Sequence, residues 1–191
     1  MDLPNPISCI PNSGGRAWFL GLLIVAAGSV MLSQSAFAQY REYEVKAAFL
    51  ANFAQFAKWP DAVFSDANAP FVIGVLGDDP FGGALESVVK GQAVSGRKVV
   101  VRRGRRPEDF RNCQIVFIGK SERARIADIV GSFQMSSILT VGETEQFVKH
   151  GGMVGFLMDG DKVRFEINNG AARRAGLELS SRLVKLARAT P

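Results

Sequence analysis

Histidine and cysteine are nearly missing from this chain. In 191 residues there is one His, His150, and there are two Cys, Cys9 and Cys113. A structural or catalytic zinc site needs several such ligands at short spacings, so the sequence nominates no metal ligand. No Gly-x-Ser-x-Gly elbow is present, which removes the nucleophile of an α/β-hydrolase, and no Walker loop is present to cradle a triphosphate. Gly74-Val75-Leu76-Gly77 followed by Gly82-Gly83 falls where a dinucleotide loop would fall. Its spacing is wrong, and Asp78-Asp79 would repel a pyrophosphate at that helix start. These absences leave no catalytic residue and no cofactor-binding residue to name, and the chain reads as non-enzymatic, with no cofactor.

The first 38 residues are set apart. Arg16 precedes an apolar run from Ala17 to Leu32, and Ser35-Ala36-Phe37-Ala38 follows. Small residues at Ala36 and Ala38 suit a signal peptidase, so residues 1–38 are expected to be a cleaved signal peptide. The alternative is an uncleaved anchor, but sixteen residues at roughly 1.5 Å each give about 24 Å against a ~30 Å hydrocarbon core. Residues 39–191 then form one domain of ordinary size, located in the periplasm and not held by a membrane span. Cys9 leaves with the leader, so Cys113 has no intramolecular disulfide partner and the fold relies on its core. Cys113 precedes Ile115-Val116-Phe117-Ile118 and reads as a buried small hydrophobe, the alternative being an exposed thiol. A net charge of +5 on an exported chain points to membrane headgroups, cell-wall polymers or an acidic protein surface, not to nucleic acid.

Periodicity supplies the architecture. Residues 40–58 read as a long helix with Phe49, Phe53 and Phe56 on one face, ended by Trp59-Pro60. That aromatic face reads as core, with a ligand box as the alternative. Phe71–Gly77, Arg97–Arg102, Ile115–Ile118 and Ser137–Val141 read as strands. They alternate with helices expected over 81–90, capped by Asp78-Asp79-Pro80, over 121–131, and over 143–149. Asp159-Gly160 predicts a type I′ turn between an apolar strand, Met153–Met158, and an alternating one, Val163–Ile167. The tail reads as two short helices, 169–175 stopped by Gly176 and a second N-capped by Ser180. The result is an α/β three-layer sandwich. Its central sheet is mostly parallel and finished by a C-terminal antiparallel hairpin, with helices on both faces.

Two groups of residues are candidates for binding. Arg102-Arg103-Gly104-Arg105-Arg106 is the densest charge run. It reads as a solvated loop, or as a docking patch in which Arg103, Arg105, Arg106 and Phe110 anchor an acidic partner. Phe64, Phe81 and Phe147 are further aromatic anchors wherever they are exposed. The carboxyl ends of the parallel strands would carry Asp78, Asp79, Lys120, Ser121, Glu143 and Thr144. In open α/β sheets ligands sit at that edge, so Asp78, Asp79, Ser121 and Glu143 mark a candidate crevice.

Several segments together resemble a known family. They are the export signal, Val45-Lys46-Ala47-Ala48-Phe49-Leu50 through to Trp59-Pro60, Phe71–Gly77 with Asp78-x-x-Phe81-Gly82, and Gly96-Arg97-Lys98-Val99. Cys113–Ile118, Val163–Asn168 and the tail from Ala171 to Ala187 follow in order. This set resembles the YfiR/HmsC family of periplasmic proteins over nearly all of the exported chain. The resemblance implies a regulator that binds the periplasmic domain of an inner-membrane diguanylate cyclase, lowering cyclic di-GMP and biofilm formation. Some relatives pair with other membrane signalling proteins, such as a sensor kinase, and a homodimer is left open. The alternative function is a periplasmic protein that binds a small ligand or cell-wall fragment and feeds a membrane sensor. Relatives carry stabilising disulfides. This chain keeps Cys113 at one such position without a partner, so a redox switch is not carried over.

Overall fold

The computed structural model describes residues 39–187. The expected leader, its cleavage point and residues 188–191 lie outside them. Among the described residues no helix is long and apolar enough to cross a membrane.

Seven strands form the main sheet, built by the alternation the sequence displays. They are β2 (Phe71–Leu76), β3 (Ala93–Val94), β4 (Arg97–Gly104), β5 (Ile115–Ile118), β6 (Leu139–Gly142), β7 (Val154–Asp159) and β8 (Lys162–Ile167). Their order is β3-β4-β2-β5-β6-β7-β8. From β4 through β7 every pairing is parallel, and the two edges, β3 on β4 and β8 on β7, are antiparallel. The four strands read from the apolar runs are all parallel, as expected, and the hairpin finishes the sheet. Its turn is shifted by one residue: Asp159 pairs with Lys162, so the loop is Gly160-Asp161. Only Gly160 has a positive φ, 62°. That matches a type II′ turn, which needs positive φ at its first central residue alone, in place of the expected type I′.

Each face of the sheet carries its own core. Phe71, Ile73 and Val75 of β2, with Ile115 and Phe117 of β5, meet one set of helices. These are α1 (39–56), α2 (Ala84–Val89), α4 (Asn169–Arg174) and α5 (Ser181–Leu186). Val72, Leu76, Val116 and Ile118 point the other way, onto α3 (Ile126–Phe133). Helices thus cover both faces, giving the three layers. Phe49 and Phe53 of α1 pack on Phe165 at centroid distances of 5.3 and 5.2 Å. The Trp59 indole N–H donates to the Gln114 carbonyl at 3.0 Å. The expected core reading of the α1 aromatics holds. Because Trp59 lies by the start of β5, α1 runs antiparallel to the strands, and its first turns lie at their carboxyl ends.

The face with a single helix is completed by two phenylalanines seated over glycines. A Cβ on Gly74 would lie 2.4 Å from the Phe110 ring, and one on Gly142 would lie 2.4 Å from the Phe147 ring. Only glycine leaves room for these rings against the strand backbone.

Three helix expectations are corrected in detail. The expected 81–90 helix starts only at Ala84 and has no side-chain cap. Asp79 instead closes a local turn, accepting from the Phe81 N–H at 2.8 Å. The 121–131 segment begins as a 3₁₀ stretch, Lys120–Arg125, before α3. Residues 143–149 form turns, not a helix, because Gln146 takes φ 59°, which the helix ladder does not accept. The tail follows its caps: Ser180 Oγ accepts from the Leu183 N–H at 3.2 Å and Gly176 sits at φ 75°. Between the tail helices a two-residue strand, β9 (Glu178–Leu179), pairs with β1 (Ala57–Lys58) at the end of α1.

Candidate functional site

At the carboxyl ends of β2, β5 and β6 the sheet brings ionisable groups together in two clusters. β2 connects to β4 on one side and β5 connects to β6 on the other, so the chain reverses its winding between β2 and β5. That junction is where an open α/β sheet offers a crevice.

The first cluster is buried. The Glu143 carboxylate, just past β6, accepts from the Tyr43 hydroxyl at 3.1 Å to each oxygen. It also meets Lys46 Nζ at 2.5 Å, while Lys120 approaches to 3.8 Å. Lys46 is also paired with Glu42, one turn earlier in α1. The Lys46 and Glu143 side chains are each 2% exposed. Lys46 Nζ lies 4.6 Å from the Tyr43 ring centroid, within cation–π reach. Burial, followed by the Glu143 charge, pushes the Tyr43 hydroxyl well above its usual titration range, so it stays a neutral donor. Every charge here has a partner, which is the condition for keeping an ion pair out of water. Sequence reasoning did not nominate Lys46 for this role. The signal was its spacing: 46, 50, 53 and 57 share one helical stripe, and Leu50, Phe53 and Ala57 are all buried.

The second cluster is exposed and unites the two groups nominated from sequence. Arg103 Nε donates to Asp79 Oδ2 at 2.8 Å, its Nη1 pairs with Glu86, and its Nη2 donates to the Gly82 carbonyl at 3.1 Å. The bond from Arg103 holds the Glu86 carboxyl below its usual range. Arg105 reaches Asp78 at 2.8 Å, with both side chains mostly in solvent. Arg106 pairs with Asp109 at 3.0 Å. Ser121 Oγ accepts from the Asp78 N–H at 2.9 Å, drawing the loops after β2 and β5 together. Asp78, Asp79 and Ser121 therefore share one patch with the arginines, while Glu143 belongs to the buried cluster.

Phe110 needs correction as a partner anchor. It is fully buried, because Gly74 and Gly104 leave room for its ring. Phe81 and Phe147 are likewise buried, and Phe64 is half-buried with its ring 3.9 Å from the Arg97 guanidinium. Cys113 is buried as expected, and burial raises its thiol to about 11, leaving little reactive thiolate at neutral pH. Among the described residues no group of three or more His, Cys, Asp or Glu could hold a metal ion. Separate from both clusters, a cleft of about 190 Å³ lies between α3 and α4, lined by Val130, Phe133, Met153 and Ala171 and flanked by Met135 and Arg174.

No curated protein matches this sequence. Among solved structures, a conserved domain protein from Vibrio cholerae is similar at 14% identity, with a TM-score of 0.46 over 63% of this chain and 54% of the other. The ABC domain in complex with L-Trp from Streptococcus pneumonia is similar at 13% identity, with a TM-score of 0.45 over 61% and 54%. The chain thus spans about half the length of these two solved chains. A family model described as YfiR/HmsC-like matches residues 43–188, from Tyr43 of the buried cluster through the sheet to the tail helices. By that match, the chain belongs to the YfiR/HmsC-like family.

Proposed function

We propose that this protein is a periplasmic, non-enzymatic regulator that docks on the periplasmic part of an inner-membrane signalling protein. A diguanylate cyclase is the partner the family suggests, and docking lowers cyclic di-GMP and surface attachment. The observation that carries this reading is the family match across residues 43–188. The residues at the carboxyl edge of the sheet also fit a binding role better than a reactive one. Their carboxylates are engaged by Arg, Lys and Tyr partners.

The docking contact is assigned to the exposed arginines beside that edge. Arg105 and Arg106 have side chains 80% and 76% exposed, and their carboxylate partners are themselves partly in water. Such pairs exchange readily for an acidic partner surface. Arg103, held by three protein groups, positions the patch from beneath.

The test is a pull-down of the exported chain from its native membranes, with cyclic di-GMP measured in a deletion strain. Capture of a membrane signalling protein and a rise in cyclic di-GMP on deletion are expected. If cyclic di-GMP and attachment are unchanged on deletion, the cyclase reading fails. If a sensor kinase is captured instead, the partner class is corrected and the docking role stands.

A further inference from the structure

The cleft between α3 and α4 is built differently from the charged edge of the sheet. Its floor is apolar: Val130, Phe133, Met153 and Ala171 line it, and all four are buried. Small residues keep it open. A Cβ on Gly151 would already touch Val130 at 3.4 Å, and α4 presents only the methyl group of Ala171. Hydrogen bonds hold the walls in place. The Met153 N–H donates to Thr140 Oγ1 at 3.1 Å. Ser137 Oγ donates to the Ala175 carbonyl at 2.8 Å, tying the segment after α3 to the end of α4. The space is therefore part of the fold, as small-ligand sites usually are.

The mouth is polar and carries one sign of charge. Arg174 lines it from α4, and Gln134 lines it from the residue after α3. Arg174 Nη1 folds back along its helix, 3.4 Å from where a Cβ on Gly170 would lie. Among the described residues, neither side chain meets a hydrogen-bonding or charged partner. No Asp or Glu lines the cleft. Met135 completes the rim and is 94% exposed, a flexible apolar side chain with little to pack on.

We propose that this cleft binds a small monocarboxylate with an apolar body. The guanidinium fork matches a planar carboxylate, and the Gln134 amide supplies a further donor. An anion sunk onto the apolar floor would lose its hydration without return, so the carboxylate stays at the mouth and the apolar body takes the floor. With no acidic residue in the lining, an ammonium group would find no partner, which disfavours zwitterionic amino acids. A cavity of roughly 150 Å³ takes a benzene molecule, so about 190 Å³ suits a ring or branched chain of about six carbons. The site lies apart from Asp78, Asp79, Ser121 and the exposed arginines, and the inference does not depend on the docking reading.

Thermal unfolding of the purified protein, titrated with benzoate at matched ionic strength, tests the proposal. Benzamide supplies the ring without the charge, and acetate the charge without the ring. Benzoate should raise Tm saturably, and either comparator should need at least about tenfold higher concentration for the same rise. Arg174→Gln, at an exposed position, should weaken the benzoate response about tenfold and leave that to benzamide unchanged. Ala171→Leu, which fills the floor, should abolish both. In the parent, backbone amide shifts on adding benzoate should cluster at Val130, Gly151, Met153 and Ala171. The proposal is overturned by no saturable rise, by benzamide or acetate acting as strongly as benzoate, by a full response in Arg174→Gln, or by amide shifts that cluster elsewhere.

Discussion

The two charge clusters at the carboxyl edge of the sheet use the same chemistry and differ in burial. Lys46, Glu143 and Tyr43 lie under α1 with almost no solvent contact, whereas Arg103, Arg105 and Arg106 meet their carboxylates at the surface. The exposed cluster has more ion pairs, but the buried one has the larger hold on stability. A surface pair gives back in lost side-chain freedom most of what it gains in high dielectric. A buried pair, once half is removed, leaves an uncompensated charge in the interior. What such a cluster does follows from which of its charges are left without water, more than from how many charges it has.

The largest break in that contrast is Lys46→Ala, which strands Glu143. Urea unfolding should show a loss of about 3–5 kcal/mol. The double variant Lys46→Met, Glu143→Leu removes both charges together and should recover most of that loss. A double variant as unstable as the single one would contradict this account of the cluster. Next is Tyr43→Phe, which takes one donor from a buried carboxylate and should cost roughly 1.5–3 kcal/mol. Tyr43 also sets a pH dependence. Its folded pKa is raised above the unfolded value of about 10, so its contribution is complete below pH ~10 and declines as pH rises toward the folded value. Unfolding followed from pH 9 to 11.5 should show a decline in the parent that is smaller in Tyr43→Phe, the remainder coming from Cys113, whose thiol is also raised by burial.

The exposed cluster should respond more weakly. Arg103→Ala is expected to cost at most about 1 kcal/mol, with the difference from the parent shrinking as salt rises. Glu86 is held below its usual range by Arg103, so its contribution is present above the unfolded carboxylate pKa of about 4.3. It is lost as pH falls through the lower folded value. Smallest is Arg105→Glu, which should leave the melting temperature unchanged while weakening capture of the proposed membrane partner. A stability loss there as large as that of Lys46→Ala would erase the contrast between the clusters.

Much of the framework was readable because strand alternation and apolar runs are local. Ile115–Ile118 and the Val163–Ile167 strand fall where their patterns put them, and Ser180 and Gly176 act as the caps they resemble. What failed depended on contacts across the fold. Phe110 sits in a polar stretch between Asp109 and Arg111, so it read as an exposed anchor. Only the juxtaposition of Gly74 and Gly104 beneath it explains its burial. Lys46 was not singled out because the residue that pairs with it, Glu143, comes nearly a hundred positions later. The hairpin turn was off by one because Gly160 and Asp161, not Asp159 and Gly160, match the register set by Phe156 and Phe165. The arginine run and Asp78-Asp79 were both noticed, yet nothing in their spacing said that they face each other.

The short pairing of Ala57 with Leu179 and Lys58 with Glu178 ties the end of the first helix to the tail. It bears on the order in which the chain can fold. α1 rests on Phe156 and Phe165, late in the sequence, and is fastened by a strand that comes later still. Contacts that distant in sequence close slowly, since the loop entropy must be met before they form. The first of the described elements to be synthesised is therefore among the last to be secured. Until the β7–β8 hairpin arrives, α1 keeps its aromatic face unsatisfied, and until the tail arrives its end stays unfastened. Loss of the tail should therefore leave a complete sheet with a loosely held helix, prone to aggregation.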